Sequence, residues 1–164
     1  LLGLIKKEAL MIKVNIIINN NNWFKEIKNP VIYTKRKIDK INKSDKVFLK
    51  KKINFTLLLS GNSEIKNLNK KFRKKNKSTD ILSFPFQTRK ELNNLLKKEK
   101  EIYLGDVIIN FNKIKTKNLE SFKSEFNRLW VHGLVHLFGH DHKKEKDFLI
   151  MNQIEKKYLD LINA

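Results

Sequence analysis

The stretch HGLVHLFGHDH, residues 132–142, contains all four histidines of this 164-residue chain. His132 and His136 are four residues apart, so on a helix their Cβ atoms lie one turn apart, about 5–6 Å from each other. Gly139 follows three residues later, where glycine readily adopts the left-handed conformation that ends a helix. The chain can then turn back and bring His142 to the same point. Three neutral imidazoles suit Zn²⁺ and leave a fourth coordination position open, as in catalytic zinc sites.

The third ligand has an alternative. His140 continues the four-residue spacing, but it would bind the metal only if the helix ran on through Gly139. A single histidine on an apolar helix is usually a hydrogen-bonded core residue. The helix-ending glycine and the register of His142 favour a metal site with His142 as third ligand. His140 or Asp141 would then lie behind the ligands or face the substrate.

The same spacing occurs in zinc proteases with the motif H-E-x-x-H-x-x-G-x-x-H. The three predicted ligands and Gly139 fall on the matching positions, but Gly133 replaces the glutamate that acts as general base in those enzymes. The sequence therefore predicts the metal ligands without the protease's base, which argues against peptide hydrolysis.

Hydrophobic periodicity places these histidines on a long helix near the end of an α+β chain. Strands are predicted at residues 12–18, 53–59, 80–86 and 103–110, and helices after residue 23, from Ser63 as cap to Phe72, and at 119–138 and 144–161. Pro30 breaks or starts an element, and residues 87–101 are predicted to form an exposed hairpin excursion. On the last helix, the predicted packing face is Phe148, Met151, Ile154, Tyr158 and Leu161.

The helix at 119–138 is apolar on nearly every side in its second half, so it should be a buried central helix. Unpaired imidazoles would be costly there, and a metal removes that cost.

The length of the chain predicts a single domain, which we place at residues 11–164, and we expect residues 1–10 to be an N-terminal extension. The chain has no cysteine, which fits a reducing cytoplasm and leaves metal binding to histidines. Its 36 Lys and Arg residues exceed its 17 Asp and Glu residues, for a net charge of +19. This excess attracts phosphate backbones, although the abundance of Lys, Asn, Ile and Phe is also typical of A/T-rich coding sequences.

Three blocks of the chain resemble the YbeY family. The histidine block matches the family signature H-G-x-L-H-L-x-G-[HY]-D-H, with Val135 in place of a leucine. NKKFR at residues 69–73 and STDILSFP at 78–85 are similar to N-x-x-[FY]-R and T-[DN]-V-L-S-F-P, with Ile81 in place of a valine. LGDVII at residues 104–109 is similar to the family's L-G-D-[IV] strand. The blocks follow the family order and cover the chain from about Met11 to its end.

The resemblance implies a four-stranded mixed sheet packed with about five helices, and a three-histidine site at the end of a central helix. It also implies a single-strand-specific endoribonuclease of 16S rRNA 3′-end maturation and ribosome quality control, acting in the cytoplasm. The expected cofactor is one Zn²⁺ per chain on His132, His136 and His142, which would lower the pKa of a bound water to about 7. The expected partners are single-stranded rRNA, the small ribosomal subunit and assembly factors.

Arg73 and His132 are the predicted catalytic residues. A guanidinium can hold two phosphate oxygens and stabilise charge in the transition state, and the family's corresponding arginine is functional. Arg73 could otherwise be an ordinary cation at a helix C-terminus. Ser83 and Asp106 are weaker candidates, and no general base is evident, with Asp141 or His140 the possible ones. The alternatives to a ribonuclease are a non-catalytic rRNA-binding assembly factor with a structural zinc and, less favoured, a zinc peptidase.

Overall fold

The computed structural model describes residues 10–44, 51–115, 119–141 and 143–164. The strands are β1 (Leu10–Ile18), β2 (Lys51–Ser60), β3 (Ile81–Pro85) and β4 (Glu101–Asn110). The helices are α1 (Trp23–Glu26), α2 (Pro30–Ser44), α3 (Asn62–Arg73), α4 (Arg89–Lys98), α5 (Leu119–Leu137) and α6 (Glu145–Asn163). The described part of the chain therefore has six α-helices where about five were expected, and α1 is a single turn.

The strands form one four-stranded mixed sheet, as predicted, and their order in it is β1-β2-β4-β3. β1, β2 and β4 are parallel, and β3 pairs with β4 in the antiparallel direction. β3 is therefore an edge strand, which suits Pro85 because proline has no backbone N–H to donate. The α+β class is confirmed.

Helices cover both faces of this sheet. α5 packs on β3 and β4, and α6 packs on α5. The side chains of Phe126, Trp130 and Leu134 are fully buried on α5, in line with the central helix predicted from the sequence. α3 covers the opposite face, where Ile65 and Leu82 belong to a second, smaller apolar cluster.

Gly133 allows α5 to approach the sheet closely. A Cβ atom at this position would lie 2.6 Å from Cγ1 of Val107 on β4 and 3.0 Å from Cδ1 of Ile81 on β3. The glycine is buried, and any larger side chain would push the helix away from the strands. The position that holds a catalytic glutamate in zinc proteases is thus a packing contact in this protein.

The predicted hairpin excursion at residues 87–101 is wrong, because this segment contains helix α4. Thr88 and Glu91 form a capping box, in which each side chain binds the backbone N–H of the other residue. Leu92 and Leu96 are buried at helical spacing and join the main core. Both signals are local: a threonine followed three residues later by a glutamate, and leucines four residues apart.

Two smaller expectations on the helices are also wrong. Ser63 does not cap α3, because the helix already begins at Asn62 and Gly61 is its N-cap residue. On α6, the side chain of Phe148 is 46% exposed, and Ile162 is buried at the C-terminal end of the packing face. The other predicted helices and strands are present, with bounds that differ by a few residues.

The predicted extension at residues 1–10 lies outside the described residues, except for Leu10, which begins β1. No helix in the described ranges is long and apolar enough to cross a bilayer.

Gly133→Ala tests whether the close approach of α5 to the sheet stabilises the fold. We expect the substitution to lower the free energy of unfolding by about 1–3 kcal/mol, because the new methyl group overpacks against Val107. In a Val107→Ala background, the same substitution should be neutral or stabilising, since the space is open and alanine favours a helix by about 1 kcal/mol over glycine. Urea unfolding of the four proteins measures both effects, and equal destabilisation in both backgrounds would contradict this packing.

Candidate functional site

The side chains of His132 and His136 meet at the edge of the sheet. Their Nε2 atoms are 3.1 Å apart, and both rings are only partly buried. Two nitrogens bound to one tetrahedral Zn²⁺ would be separated by about 3.3 Å, given Zn–N distances of about 2.0–2.1 Å. The predicted helical spacing thus brings these two imidazoles to the separation of ligands that share an ion.

The other ring nitrogens determine which atoms carry protons. Nδ1 of His136 lies 2.8 Å from the carbonyl oxygen of His140, which can only accept, so this Nδ1–H donates. Nδ1 of His132 lies 2.7 Å from Oε1 of Glu155 on α6 and donates to that carboxylate. In the neutral rings both Nε2 atoms are therefore acceptors, and their lone pairs face each other. A shared cation between them removes this repulsion.

The predicted third ligand, His142, lies outside the described residues. Within the part of the chain that the structure describes, no three metal-ligating side chains form a group. The donor chemistry of His132 and His136 fits a metal ion, and the assignment of His142 stays a prediction.

Helix α5 ends before His140, as the sequence analysis expected. Leu137 is its last residue, and Gly139 has a φ of +85°, a left-handed conformation that suits glycine. A Cβ atom on Gly139 would lie 2.8 Å from Cβ of Arg89, so the first turn of α4 packs directly on this bend. Because the helix does not run through Gly139, the condition under which His140 would ligate is not met.

His140 contributes through its backbone and not through its ring. Its carbonyl oxygen orients His136, whereas its ring is 2% exposed, and neither ring nitrogen has a hydrogen-bond partner among the described residues. Burial, with repulsion from Arg89 and His136, lowers the pKa of the ring from 6.5 to about 4. The imidazole is therefore neutral at physiological pH.

Arg73 lies in the same cleft as the two histidines. It is the last residue of α3, as predicted, and its Nη2 donates to the carbonyl oxygen of Ser83 on β3, 3.1 Å away. Its guanidinium also lies over the ring of Phe84, 5.7 Å from the ring centre. The cleft has a volume of about 960 Å³ and is also lined by Thr79, Asp80, Arg89, Gly139, Asp141 and Lys143, among others.

The cleft lies across the edge strand β3. Ile81 faces α5 and Leu82 faces α3, so the histidines and Arg73 approach the strand from opposite faces of the sheet. The backbone N–H of Phe86 donates to the carbonyl oxygen of Leu104 on β4, and the carbonyl oxygen of Asp80 accepts a hydrogen bond from the backbone N–H of Asn110 on β4. In an antiparallel pair the bonded residues alternate, so Ile81 and Ser83 direct their backbone groups away from β4 towards the cleft. The bond from Arg73 to Ser83 fits this alternation.

Two buried asparagines hold the loop between α3 and β3, and the sequence analysis missed both. Nδ2 of Asn69 donates to the carbonyl oxygen of Lys77, 2.8 Å away. Nδ2 of Asn110, at the end of β4, lies within 3.0 Å of Oγ of Ser78 and of the carbonyl oxygen of Thr79. These bonds fix the segment that follows Arg73. Asparagines in polar stretches carry no sequence signal that separates such a role from an exposed one.

The weaker candidates for site residues lie in different places, and only some of them line the cleft. Asp106 accepts a hydrogen bond from the Tyr103 hydroxyl at 2.6 Å on the α3 face, so it does not orient either described histidine. Ser83 lines the cleft and binds Arg73 through its backbone oxygen. Asp141 lines the cleft with a side chain that is 48% exposed, 3.6 Å from Nζ of Lys143. Glu155, which the sequence analysis did not identify, is the carboxylate that faces a predicted ligand.

Comparison with known proteins identifies the family of this chain. The family model described as Endoribonuclease YbeY matches residues 12–163. The chain belongs to the YbeY family. A YbeY protein of Pelagibacter ubique, named Endoribonuclease YbeY, is 43% identical over 141 residues, which cover 84% of this chain and 88% of that protein. The Endoribonuclease YbeY of Buchnera aphidicola is 37% identical over 155 residues, which cover 91% and 92% of the two chains.

A solved structure has a similar fold. The solution structure of a Thermotoga maritima protein superposes with a TM-score of 0.56 and covers 92% of this chain and 89% of its own. The two sequences are 20% identical. The likeness therefore concerns the fold.

The buried ring of His140 should make metal-free protein less stable in mild acid. Because the ring's pKa is lower in the folded protein than in the unfolded chain, protons bind preferentially to the unfolded chain. The stability that depends on the neutral ring is complete above pH 6.5 and is lost as the pH falls towards 4. We expect a slope of up to about 1.4 kcal/mol per pH unit in this window from His140.

Urea unfolding of chelator-treated wild type and His140→Phe at several pH values between 4 and 7 isolates this contribution. The variant should lose less stability than the wild type as the pH falls. Parallel curves for the two proteins would contradict a depressed pKa at His140.

Proposed function

We propose that this protein is a metal-dependent endoribonuclease that cleaves single-stranded RNA. The observation that supports this proposal best is the pair of opposed Nε2 acceptors on His132 and His136, in one cleft with the Arg73 guanidinium. A cation site beside an arginine suits a phosphodiester substrate. The relatives that share most of the chain's length are named endoribonucleases.

His132, His136 and His142 would hold the metal, which we propose to be one Zn²⁺ per chain. When bound, such an ion supplies Lewis-acid activation of water and of the phosphate ester. The Glu155 carboxylate and the His140 carbonyl keep the protons of His132 and His136 on Nδ1, so each Nε2 atom carries the lone pair that a metal ligand needs. The protein therefore fixes the tautomers of His132 and His136 before a metal binds.

Arg73 would bind the scissile phosphate. Its bond to Ser83 uses one of its five N–H donors and aims the guanidinium along the exposed edge of β3. The planar group can then hold two phosphate oxygens and stabilise the negative charge that develops there. Lys75, Arg89 and Lys143 add positive charge to the cleft lining.

Asp141 is the group that we propose for proton transfer. Its carboxylate is in the cleft and exposed to solvent, whereas the ring of His140 is buried and has a pKa of about 4. A carboxylate at the open side of the cleft can accept the proton of an attacking water or, if it takes part, of a ribose hydroxyl.

We also propose the finer biological role that the family resemblance implied. The role is 16S rRNA 3′-end maturation and ribosome quality control in the cytoplasm, with the small ribosomal subunit and assembly factors as partners. The net charge of +19 supports an RNA partner, because a large excess of Lys and Arg favours phosphate backbones.

The alternative is a non-catalytic assembly factor that binds rRNA and uses the metal for stability. This alternative has the same RNA partner and the same net charge as the proposed ribonuclease, and it differs only in that it would not cleave the RNA. A zinc peptidase is disfavoured by packing, since Gly133 has no room for the glutamate base of that class.

Cleavage of a labelled single-stranded RNA tests the proposal. His136→Ala should abolish cleavage, and Arg73→Glu should reduce kcat/KM by about 100-fold or more, since it removes a transition-state contact and adds a like charge beside the phosphate. Lys70→Glu is the matched control, because it makes the same charge change on α3 outside the cleft lining.

Equal cleavage by all four proteins would point to a contaminating nuclease. RNA binding without cleavage by the wild type would favour the assembly factor.

Glu155→Gln tests the orientation of His132 independently of cleavage. We expect metal affinity to fall by about 10- to 100-fold, because the amide is a weaker acceptor for Nδ1–H than the carboxylate. Competition with a chromophoric chelator measures the affinity. Asp160→Asn should leave the affinity unchanged, because this carboxylate is also on α6 and its one described contact is with Nζ of Lys156, 2.6 Å away. Unaltered affinity in Glu155→Gln would contradict the assigned role.

A further inference from the structure

Phe86 is an exposed aromatic side chain in the cleft. It follows β3 directly, lines the cleft together with Arg73 and the histidines, and is 60% exposed. It is the one Phe, Tyr or Trp among the described residues of that lining. Single exposed apolar residues are common on proteins, so exposure alone means little. The surroundings of this ring set it apart.

The ring of Phe86 packs against Tyr103, whose hydroxyl makes two hydrogen bonds. The Phe86 and Tyr103 ring centres are 5.1 Å apart, in an edge-on arrangement at 60°. The Tyr103 hydroxyl donates to Oδ1 of Asp106 at 2.6 Å and is also hydrogen-bonded to the hydroxyl of Thr56. Burial, and then the bond to Asp106, raise the pKa of Tyr103, so the hydroxyl remains a donor. Tyr103 is thus anchored to β2 and β4.

The backbone on both sides of the ring is held as well. The N–H of Phe86 bonds to the carbonyl oxygen of Leu104 at 2.9 Å, which extends the pairing of β3 with β4 by one residue. Nε2 of Gln87 donates to the carbonyl oxygen of Tyr103 at 3.1 Å. The chain therefore presents this aromatic surface without having to order it on binding.

The neighbouring aromatic on the same face of the sheet is already covered. Phe84 has Phe72 against it, with ring centres 5.4 Å apart, and the Arg73 guanidinium over it. Phe86, by contrast, leaves more than half of its surface to solvent. Of the two phenylalanines, Phe86 is the one that can receive another ring.

We propose that Phe86 is a stacking platform for one nucleobase of the RNA strand whose phosphate Arg73 binds. This inference rests on the proposed function and adds a base-binding subsite to it. Ser83, which holds Arg73, is three residues before Phe86, or about 10 Å along an extended chain. A neighbouring nucleotide of the same strand can span that distance. Because a base must be unstacked and unpaired to lie on the ring, Phe86 favours single-stranded RNA over duplex.

The test measures RNA binding, so it does not depend on turnover. Wild type, Phe86→Leu, Phe86→Trp and the control Phe24→Leu are titrated into a labelled single-stranded oligoribonucleotide with a chelator present, so that metal-dependent cleavage does not shorten the strand. Anisotropy reports binding, and gels verify that the strand is intact. Phe24 is a suitable control because it is 47% exposed on α1 and lies outside the described cleft lining.

Phe86→Leu should raise the Kd by about 5- to 100-fold, the loss typical of one base–aromatic stack. Phe86→Trp should bind at least as tightly as wild type, and Phe24→Leu should bind as wild type does. Wild-type affinity in Phe86→Leu would overturn the proposal. An equal loss of affinity for a blunt RNA duplex would also overturn it, because a paired base cannot stack on the ring.

Abasic RNA provides the second arm and identifies the contact as a base. Oligonucleotides with one abasic site, moved stepwise along the strand, should include a position that weakens wild-type binding but adds nothing to Phe86→Leu. If the effect of the abasic site on the binding free energy adds to that of Phe86→Leu at every position of the strand, the proposed stacking would be overturned. If binding follows this pattern but the wild type does not cleave, the ribonuclease proposal fails while the subsite stands. If the wild type does not bind RNA at all, both fail.

Discussion

The contact between Gly133 of α5 and Val107 of β4 is the constraint on which the site depends. It lets the apolar second half of α5 lie directly on the sheet, so close that an added Cβ atom at position 133 would be 2.6 Å from Cγ1 of Val107. Because His132 and His136 are on either side of that glycine along the helix, the depth of the packing sets where their rings emerge. They emerge beside the edge strand β3, where Arg73 arrives from the other face. A side chain at position 133 would move the helix, the imidazoles and their relation to Arg73 together.

Electrostatics supply the second constraint. The Nδ1–H groups of His132 and His136 are committed to a carboxylate and a carbonyl, so the two Nε2 lone pairs oppose each other at 3.1 Å. In the neutral rings these lone pairs repel each other, and a shared cation would relieve the repulsion. Around it, the cleft carries Arg73, Arg89 and Lys143 within a chain of net charge +19. Both features favour an anionic substrate near a bound cation.

Much of the fold was predictable because its signals are local and strong. The four strands and the long helix α5 follow from hydrophobic period, and Gly139 marks the end of α5 as expected. α4 also has a local signal, the capping box of Thr88 and Glu91, but its segment is rich in Lys, Glu and Asn, which is typical of an exposed loop. Part of the site was predictable from residue types and spacing, because His132, His136 and Arg73 line the same cleft. Glu155, Asn110 and Phe86 were not predictable, since their roles arise only when α6 packs on α5 and β3 pairs with β4.

X-ray absorption at the metal edge of the purified protein reports the ligands of the proposed ion itself. We expect about one zinc per chain, with imidazole scattering from three nitrogens at about 2.0–2.1 Å. In His142→Ala the imidazole count should fall to two, while His140→Phe should leave it at three. A protein without bound metal, or with an ion coordinated by oxygen alone, would contradict the account.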